Sequence, residues 1–195
     1  MPSRRDPSQH ILEAARVLFA SRGYHSVSIE DILRESGCTK GTLYYHFSSK
    51  EELGFAVIDE EIRRLYEEGA AAHLQSGGHP IDRLSKALDA LPNFTKLGTM
   101  GSTTTDIAVR MAAVHDGFRK RLTGHLQASL EQIEEMVRKG VADGQIADSV
   151  EPHRLAHMFV TLSAGIQFVA LFWEQDTIWD DARQWLKEYL NSLRR

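Results

Sequence analysis

The sequence predicts an all-α protein of about nine helices, in which a three-helix N-terminal unit containing a helix-turn-helix precedes a larger helical domain. Apolar residues recur every three or four positions along most of the 195 residues, and no segment keeps the period-two alternation of a half-buried strand. The chain contains 42% hydrophobic and 26% charged residues, which is typical of a globular protein and excludes a disordered one.

Start and stop signals predict four helices in the first 75 residues. Ser28 and Asp31 have the Ser-x-x-acid spacing of a capping box, with Asp where Glu or Gln is usual. Gly23 and Gly37 end the two helices that precede them. The predicted helices cover residues 8–22, 28–35, 39–46 and a long stretch from Ser48 or Ser49 to about Gln75.

Five further helices complete the prediction. Along residues 117–143, Leu, Ile and Val recur every three or four positions and form one seam, which Gly144 ends. We place the domain boundary between residues 50 and 51, with an effector-binding and dimerisation domain over 51–195. The helices are expected at 80–91, 104–114, 117–143, 152–173 and 178–193, with an irregular stretch over 92–102.

Charge is unevenly distributed along the chain. Residues 1–50 contain seven Lys and Arg against five Asp and Glu, whereas the remainder contains 16 against 22, for an overall formal charge of −4. The chain as a whole is therefore not a polycation. Its relatively basic N-terminal part favours an anionic partner at that end alone.

Several features favour the reducing cytoplasm. The single cysteine, Cys38, has no internal disulfide partner, and the polar N-terminus lacks the apolar core of a secretory signal. Residues 155–173 contain no Asp, Glu, Lys or Arg and approach the length of a membrane span, but His157 and Gln167 would be unsatisfied in lipid. We therefore expect a helix buried in a core or a subunit interface.

The third helix has the most informative side chains. Leu43 is its only aliphatic residue and, with Phe47, can anchor it to the core, so that the opposite face points outward. The hydroxyls, amine and rings of that face suit phosphates and base edges in a DNA groove. These residues are Thr39, Lys40, Thr42, Tyr45 and His46. Gly41 would allow a close approach to the DNA backbone, and Lys50 could hold a phosphate at the next helix start.

The same spacing would also suit a surface helix of a plain helical bundle, so spacing alone leaves both interpretations open. Residues 8–56, however, contain a set of motifs at fixed positions. They are Gly23-Tyr24, Ser26-Val27-Ser28, Asp31-Ile32, Ser36-Gly37-Cys38-Thr39-Lys40-Gly41-Thr42-Leu43-Tyr44-Tyr45-His46-Phe47 and Lys50-Glu51-Glu52-Leu53. Together these motifs resemble the DNA-binding domain of the TetR family, whose members are bacterial transcriptional regulators and mostly repressors.

The resemblance implies roles for individual residues. Tyr44 and His46 correspond to the tyrosine and histidine that contact the DNA backbone, and Lys50 corresponds to the family's lysine at the start of the fourth helix. Ser28 corresponds to the capping hydroxyl that also meets a phosphate. The position between the tyrosine and the histidine varies within the family, so base readout is expected at Tyr45, together with Thr39, Lys40 and Thr42.

Two features lie outside this pattern. Cys38 stands where the family usually has a small aliphatic residue; it can act as a small buried hydrophobe, or as a redox switch if it is exposed with a lowered pKa. Arg4 and Arg5 can form an arm that reaches the minor groove, or they can belong to a disordered end.

Beyond residue 56 the resemblance extends to the general plan of a helical domain that binds an effector and forms a homodimer through its last two helices. Residues 101–121 and 140–145 resemble one subgroup of these domains. Small residues and aromatic anchors in the last two helices favour the same interface, although packing within the monomer core would use them equally well. The predicted interface residues are Ala156, Ser163, Ala164, Trp179, Trp185 and Tyr189.

A ligand pocket is harder to predict, because apolar residues with a few polar ones describe both a small-molecule site and an ordinary core. The candidates are Tyr66, Phe94, Leu97, Met100, Thr103, Ile107, Met111, His115, Phe118, Phe168 and Phe172. His153 and His157 have the i, i+4 spacing of metal ligands but no third ligand in view, so we expect neither a metal nor a cofactor.

By this resemblance, we expect a homodimer that places two recognition helices in the major groove of a palindromic operator, about one DNA turn apart. A small, mostly apolar effector would favour a form that no longer matches that spacing. An activator, or a regulator without an effector, would have the same DNA-binding domain. A helical enzyme is disfavoured, because the sequence contains no nucleophile elbow, phosphate loop, His-Glu-x-x-His motif or paired carboxylates.

Overall fold

The described residues are mostly helical, which confirms the predicted fold class. The computed structural model describes residues 6–91, 112–170 and 177–195, and within these ranges all side chains except those of 65–68, 114 and 170. The helices are α1 (Pro7–Arg22), α2 (Ile29–Ser36), α3 (Lys40–His46), α4 (Lys50–Ile62), a π-helix (Arg63–Ala71), α5 (Ala72–Gln75), α6 (Pro80–Asp89), α7 (Ala112–Val114), α8 (Asp116–Ala142), α9 (Pro152–Ala170) and α10 (Thr177–Ser192).

Two compact units make up the described chain. The first contains residues 6–62 and 112–121, and the second contains 63–91, 122–170 and 177–195. α4 groups with the first unit, whereas the sequence prediction starts the second domain at residue 51. α4 belongs with the first unit because it packs against α1 and because Leu53, Val57 and Ile58 are buried along it.

In the first unit, α1 packs against α2, α3 and α4. Its buried stripe is the predicted one, with Ile11 and Ala15 fully enclosed and Phe19 almost so. Ile32 of α2 and Leu43 of α3 complete this core from the other side. Burial of one stripe on α1 thus fixes the two short helices that follow it.

Local hydrogen bonds set the helix boundaries of this unit. The Asp31 N–H donates to Ser28 Oγ at 3.1 Å and the Ser28 N–H donates to Asp31 Oδ2 at 3.0 Å, which confirms the predicted capping box. α2 ends at Gly37, whose φ of 67° lies in the left-handed region that favours glycine. Of the two candidate caps of α4, Ser49 is the one used, because its Oγ accepts the Glu52 N–H at 3.1 Å.

A buried ion pair joins α1 to the last turn of α4, and the sequence pattern does not predict it. Arg16 Nη1 of α1 lies 3.6 Å from Glu61 Oε1 of α4, and both side chains are about 5% exposed or less. The Arg16 Nε–H also donates to Glu13 Oε2 at 2.8 Å, and this contact with Glu13 raises the pKa of Arg16. The guanidinium therefore stays charged inside the unit.

The second unit has a separate apolar core. α6 and α9 both pack against α10, and an isolated antiparallel bridge between Ile146 and Arg194 ties the chain end to the turn after α8. The seam predicted along α8 is buried only in its second half, because Leu126 is 52% exposed. The core residues are Ala70, Leu74, Ile81, Leu84, Ala87, Leu88, Ile133, Met136, Val137, Ile146, Leu155, Ala156, Phe159, Leu186 and Leu190.

Some element predictions differ from the structure or lie outside it. The helix predicted to continue to about Gln75 is helical throughout, but residues Arg63–Ala71 form a π-helix. Apolar spacing could not reveal this, since over nine residues a spacing of three or four fits either pitch. The irregular stretch at 92–102 and all but the end of the helix at 104–114 lie outside the described residues. In the described ranges no helix is both long and apolar enough to cross a membrane.

The buried ion pair gives a stability prediction. Arg16→Met should lower the free energy of unfolding by about 3 kcal/mol, because the buried carboxylate of Glu61 then loses the charge of the Arg16 guanidinium. Urea denaturation followed by circular dichroism measures the change. The matched double variant Arg16→Met with Glu61→Met should recover most of the loss, and a single variant as stable as the parent would contradict this role for the pair.

The capping box gives a pH-dependent prediction. Hydrogen bonds from the Ser28 hydroxyl and N–H lower the pKa of Asp31 from 3.8 to about 2. Since this pKa is lower in the folded state, the carboxylate stabilises the fold above about pH 4 and loses that effect as the pH falls towards 2. Asp31→Asn should therefore destabilise the protein at neutral pH, and its difference from the parent should shrink at acid pH. Denaturation of both at a series of pH values tests this, with Glu30→Gln in the same turn as the control.

Candidate nucleic-acid interface

α3 has one buried side and one exposed side. Leu43 is fully buried, as predicted, and Phe47 at the end of the helix is half-buried. The Thr42 N–H donates to Thr39 Oγ1 at 3.1 Å, so Thr39 caps the helix as the sequence predicted. The cap and the single apolar anchor together fix which side of this seven-residue helix faces outward.

The exposed side of α3 holds the residues that the sequence analysis singled out. Tyr45 is 85% exposed and Tyr44 45%. The rings of Tyr45 and His46 meet edge to face with centroids 5.0 Å apart, and His46 is half-buried. Lys40 is exposed, and its Nζ lies 6.0 Å from the centroid of the Tyr44 ring. The surface thus combines the ammonium group of Lys40 with aromatic and imidazole rings, which suit phosphates and base edges.

Thr39 and Thr42 lie side by side at the start of this surface. Their hydroxyl oxygens are 2.9 Å apart, so one hydroxyl donates to the other. The hydroxyl that accepts keeps its own proton for another acceptor. This pair can therefore offer one hydrogen-bond donor to a groove.

Packing among the described residues does not require a glycine at position 41. A β-carbon built there would meet only Thr39 Oγ1, at 3.9 Å, which is an ordinary contact. Glycine costs up to about 1 kcal/mol relative to alanine in a helix. No described residue therefore occupies the space that a side chain at position 41 would fill. That space is open to a binding partner.

Ser28 precedes α2 and Lys50 begins α4, and the two differ in whether their polar hydrogens are available to a phosphate. The Ser28 hydroxyl donates to Asp31 Oδ2 at 2.6 Å, so its proton is already used. Lys50 is half-buried at the start of α4, with its Nζ 4.5 Å from the centroid of the Tyr24 ring. Burial lowers the pKa of Lys50. Tyr24 belongs to the Gly23-Tyr24 motif, but the sequence pattern predicts no role for its ring.

The two features outside the family pattern remain predictions. Cys38 is half-buried, with its Sγ 3.8 Å from the Ser36 carbonyl oxygen and 4.0 Å from that of Pro7. That position is compatible with packing in the turn and with limited access to solvent. Arg4 and Arg5 lie outside the described residues.

The predicted interface residues divide into two groups. Ala156, Ser163 and Trp179 are buried within the single chain. Trp185 is 57% exposed and stacks on the half-buried Tyr189, with ring centroids 5.9 Å apart and an angle of 13° between the planes. Ala164 is also exposed. Surface for a partner chain is therefore available at the second group.

Most residues of the predicted ligand pocket lie outside the described part of the chain. His115 and Phe118 lie in the first unit: Phe118 is fully buried against Phe55, and His115 Nε2 is 3.5 Å from Glu51 Oε1. Phe168 lies in the second unit and is 46% exposed. The candidates outside the described residues or side chains are Tyr66, Phe94, Leu97, Met100, Thr103, Ile107, Met111 and Phe172.

The spacing of His153 and His157 places their rings 5.5 Å apart, edge to face. Across residues 6–91, 112–170 and 177–195, no group of three or more His, Cys, Asp or Glu side chains is arranged to hold a metal ion.

Comparison with known proteins identifies two regions of the chain. Residues 11–57 match the family model described as bacterial regulatory proteins of the tetR family. Residues 80–186 match the model described as a tetracyclin repressor-like C-terminal domain. Together, these two matches extend over both compact units.

Individual relatives agree with this assignment. The A-factor receptor protein of Streptomyces griseus is 41% identical over 160 residues, which are 82% of this chain and 53% of the receptor. An uncharacterized HTH-type transcriptional regulator of Lactococcus lactis is 31% identical over 60% of this chain and 61% of its own length. The chain thus spans less than two thirds of the length of either protein. The transcriptional repressor DhaR of a Mycobacterium species is 24% identical over 81% of this chain and 79% of its own.

Solved structures lead to the same family. A TetR transcriptional regulator from Chloroflexus aurantiacus superimposes with a TM-score of 0.77 at 25% identity, covering 97% of this chain and 96% of that one. The C-terminal family match alone covers more than half of the present sequence. The chain therefore belongs to the TetR family of bacterial regulatory proteins and is a DNA-binding transcriptional regulator, not an enzyme.

Proposed function

We propose that this regulator is a homodimeric repressor that inserts α3 of each subunit into the major groove of a palindromic operator. The observation that carries the proposal is the contrast within α3 between a fully buried Leu43 and a Tyr45 that is 85% exposed. A short helix held by one anchor leaves its opposite face free to meet base edges. Because its partner is chromosomal DNA, we place the protein in the bacterial cytoplasm.

Contacts to the DNA backbone and to bases would be divided along this surface. Tyr44, His46 and Lys50 would hold phosphates, which position a protein but carry no sequence information. Thr39, Lys40, Thr42 and Tyr45 would read base edges. Ser28 would contribute less than the other phosphate ligands, since its hydroxyl proton is directed at the ionised Asp31 carboxylate.

The dimer would form through α9 and α10. Trp185 and Tyr189 present a stacked aromatic surface on α10, and α9 exposes Ala164, Phe168 and Val169. Large exposed apolar side chains of this kind mark interaction surfaces, and aromatic residues often anchor them. A two-fold axis at this interface would match the two-fold symmetry of a palindrome.

Release from DNA would depend on a small, mostly apolar effector in the second unit. α9 is apolar apart from a few residues, yet Ser163 and Gln167 are buried in it. The Gln167 Nε2–H donates to the Ser163 carbonyl oxygen at 3.2 Å, and Ser163 Oγ has no hydrogen-bond partner among the described residues. A small number of polar groups in a largely apolar lining is typical of a ligand site, and the Ser163 hydroxyl is a group of this kind. An activator would use the same DNA-binding surface, so the direction of regulation needs a transcription assay.

Selection of bound duplexes from a random DNA library tests the proposal. We expect an inverted repeat whose half-sites are centred about 34–36 Å apart, or somewhat more. Transcription from a promoter that carries the recovered repeat should then fall when the protein is added. Recovery of a single half-site would contradict the dimeric arrangement, and a rise in transcription would establish an activator.

Tyr45→Ala should change which sequences are bound. Loss of one base contact typically costs about 1–3 kcal/mol at one base-pair position and leaves the others unchanged. Selection repeated with the variant measures this as relaxed preference at one position of each half-site. Tyr44→Ala is the matched control, expected to weaken binding to all sequences alike. A Tyr45→Ala variant that keeps the parent's preference at every position would remove Tyr45 from base readout.

Gly41→Ala should separate stability from binding. We expect the thermal midpoint to stay equal or to rise, since alanine is the better helix former and its β-carbon has room. DNA affinity should nevertheless fall, at least tenfold, because the methyl group occupies the space between α3 and the DNA backbone. Gly124→Ala, in an equally open position on α8, should gain stability without losing affinity. Unchanged DNA affinity in Gly41→Ala would exclude a close approach at this residue.

Trp185→Glu should convert the dimer to monomers in sedimentation velocity experiments. A carboxylate in the centre of an apolar interface loses its hydration without gaining a partner. Leu126→Glu, at an equally exposed apolar position on α8, should leave the dimer intact. If Trp185→Glu remains dimeric, the subunits associate through another surface.

A further inference from the structure

Tyr24 is packed between the ammonium group of Lys50 and two buried aromatic rings. The Lys50 Nζ lies 4.5 Å from the centroid of the Tyr24 ring, within the range of a cation–π interaction. An ammonium group has three N–H donors, and a ring face occupies only one side of it. The remaining donors stay available for a phosphate oxygen.

Buried neighbours hold the Tyr24 ring in place. Its centroid lies 5.1 Å from that of Phe19 and 5.2 Å from that of Phe118, both in edge-to-face geometry. Phe19 and Phe118 are 1% and 0% exposed. Rings packed in this way have little freedom to turn, so the face that Tyr24 offers to Lys50 is fixed.

The backbone of α4 makes room for this arrangement. A β-carbon at Gly54 would come within 2.8 Å of Tyr24 Cε2 and 2.9 Å of Phe118 Cζ, which is too close for real atoms. Gly54 lies four residues after Lys50, on the same face of α4. The missing side chain at Gly54 therefore lets the Tyr24 ring lie against α4, one turn away from Lys50.

We propose that Tyr24 is a positioning residue, which holds the ammonium group of Lys50 ready for a DNA phosphate. This inference rests on the proposed phosphate contact of Lys50. A free lysine side chain loses considerable rotamer freedom when it binds, whereas one already resting on a ring has lost part of it beforehand. Weakening the attraction of the ring restores rotamer freedom to the Lys50 side chain in the unbound protein. In the complex the phosphate still restrains the side chain, so a larger loss of conformational entropy accompanies binding. DNA affinity should then fall.

The test replaces Tyr24 by phenylalanine and then by phenylalanines carrying one, two and three fluorine atoms. Fluorine withdraws electron density from the ring face and changes its volume little, so the series weakens the cation–π interaction and preserves packing. The probe is a pool of random-sequence duplexes of about 30 base pairs at low salt, because phosphate contacts do not depend on sequence. Thermal unfolding of each variant checks that the fold is retained.

Tyr24→Phe should bind like the parent, because the ring face remains. Each fluorine should weaken binding further, to a total of about two- to fivefold per DNA-binding domain, which corresponds to the usual strength of such an interaction. The slope of log affinity against log salt should change little along the series, since Lys50 keeps its charge. In a Lys50→Ala background, the same series should have no effect.

Three results would decide against the proposal. If affinity is unchanged or rises with fluorination, the ring either does not guide Lys50 or withholds it from DNA. If fluorination weakens binding equally in the Lys50→Ala background, Tyr24 acts through packing alone. Lys50→Ala in the presence of Tyr24 tests the underlying phosphate contact separately: it should weaken binding and reduce the salt slope by about 0.9 per subunit. An unchanged slope there would overturn the role of Lys50 itself.

Discussion

The burial of Leu43 is the interaction on which the DNA-facing surface depends. α3 has seven residues, which is far fewer than a helix needs to be stable alone in water. One leucine, fully buried on a helix that packs against α1, supplies on the order of 2 kcal/mol and also fixes the rotation of the helix about its axis. Rotation by a single residue would carry Tyr45 away from the outer face. Stability and recognition therefore depend on the same contact.

The rest of the first unit supports that small helix from behind. α1 contacts all three of the helices that follow it, and its Arg16 is paired with Glu61 at the far end of α4. Buried charge pairs contribute little net stability compared with apolar packing. Their mutual attraction offsets the cost of desolvating the two charges only while the two groups stay close together. In the same unit, the ring of Tyr24 packs edge to face against Phe19 and Phe118, and the Lys50 ammonium group lies over it. The exposed side chains of α3 thus lie on a base of closely packed helices.

Sequence predicts best what depends on neighbours in the chain. The capping box of Ser28 and Asp31, the left-handed Gly37 and the Thr39 cap all involve residues within a few positions of one another, and the structure contains each of them. Leu43 was also predictable, because α3 offers no other aliphatic anchor. These local signals account for the accurate boundaries of the first three helices.

Contacts between distant residues could not be predicted in this way. Arg16 and Glu61 are 45 positions apart, and Tyr24 and Phe118 are separated by 94, so no spacing rule connects them. Composition is equally ambiguous in the second unit. Ala156 and Trp179 suit a subunit interface as well as a core, and in the structure both are buried within the single chain, whereas Trp185 is exposed. Burial is decided by how helices pack against one another, which the pattern along one helix does not contain.

The central claim is that the outward face of α3 is the surface that reads DNA. The most direct test is a structure of the protein bound to a duplex obtained by selection. Our account predicts α3 within the major groove, with Tyr45 against base edges, Lys50 at a phosphate and Leu43 still buried in the core. A duplex bound to any other surface, with Tyr45 remaining in solvent, would contradict it.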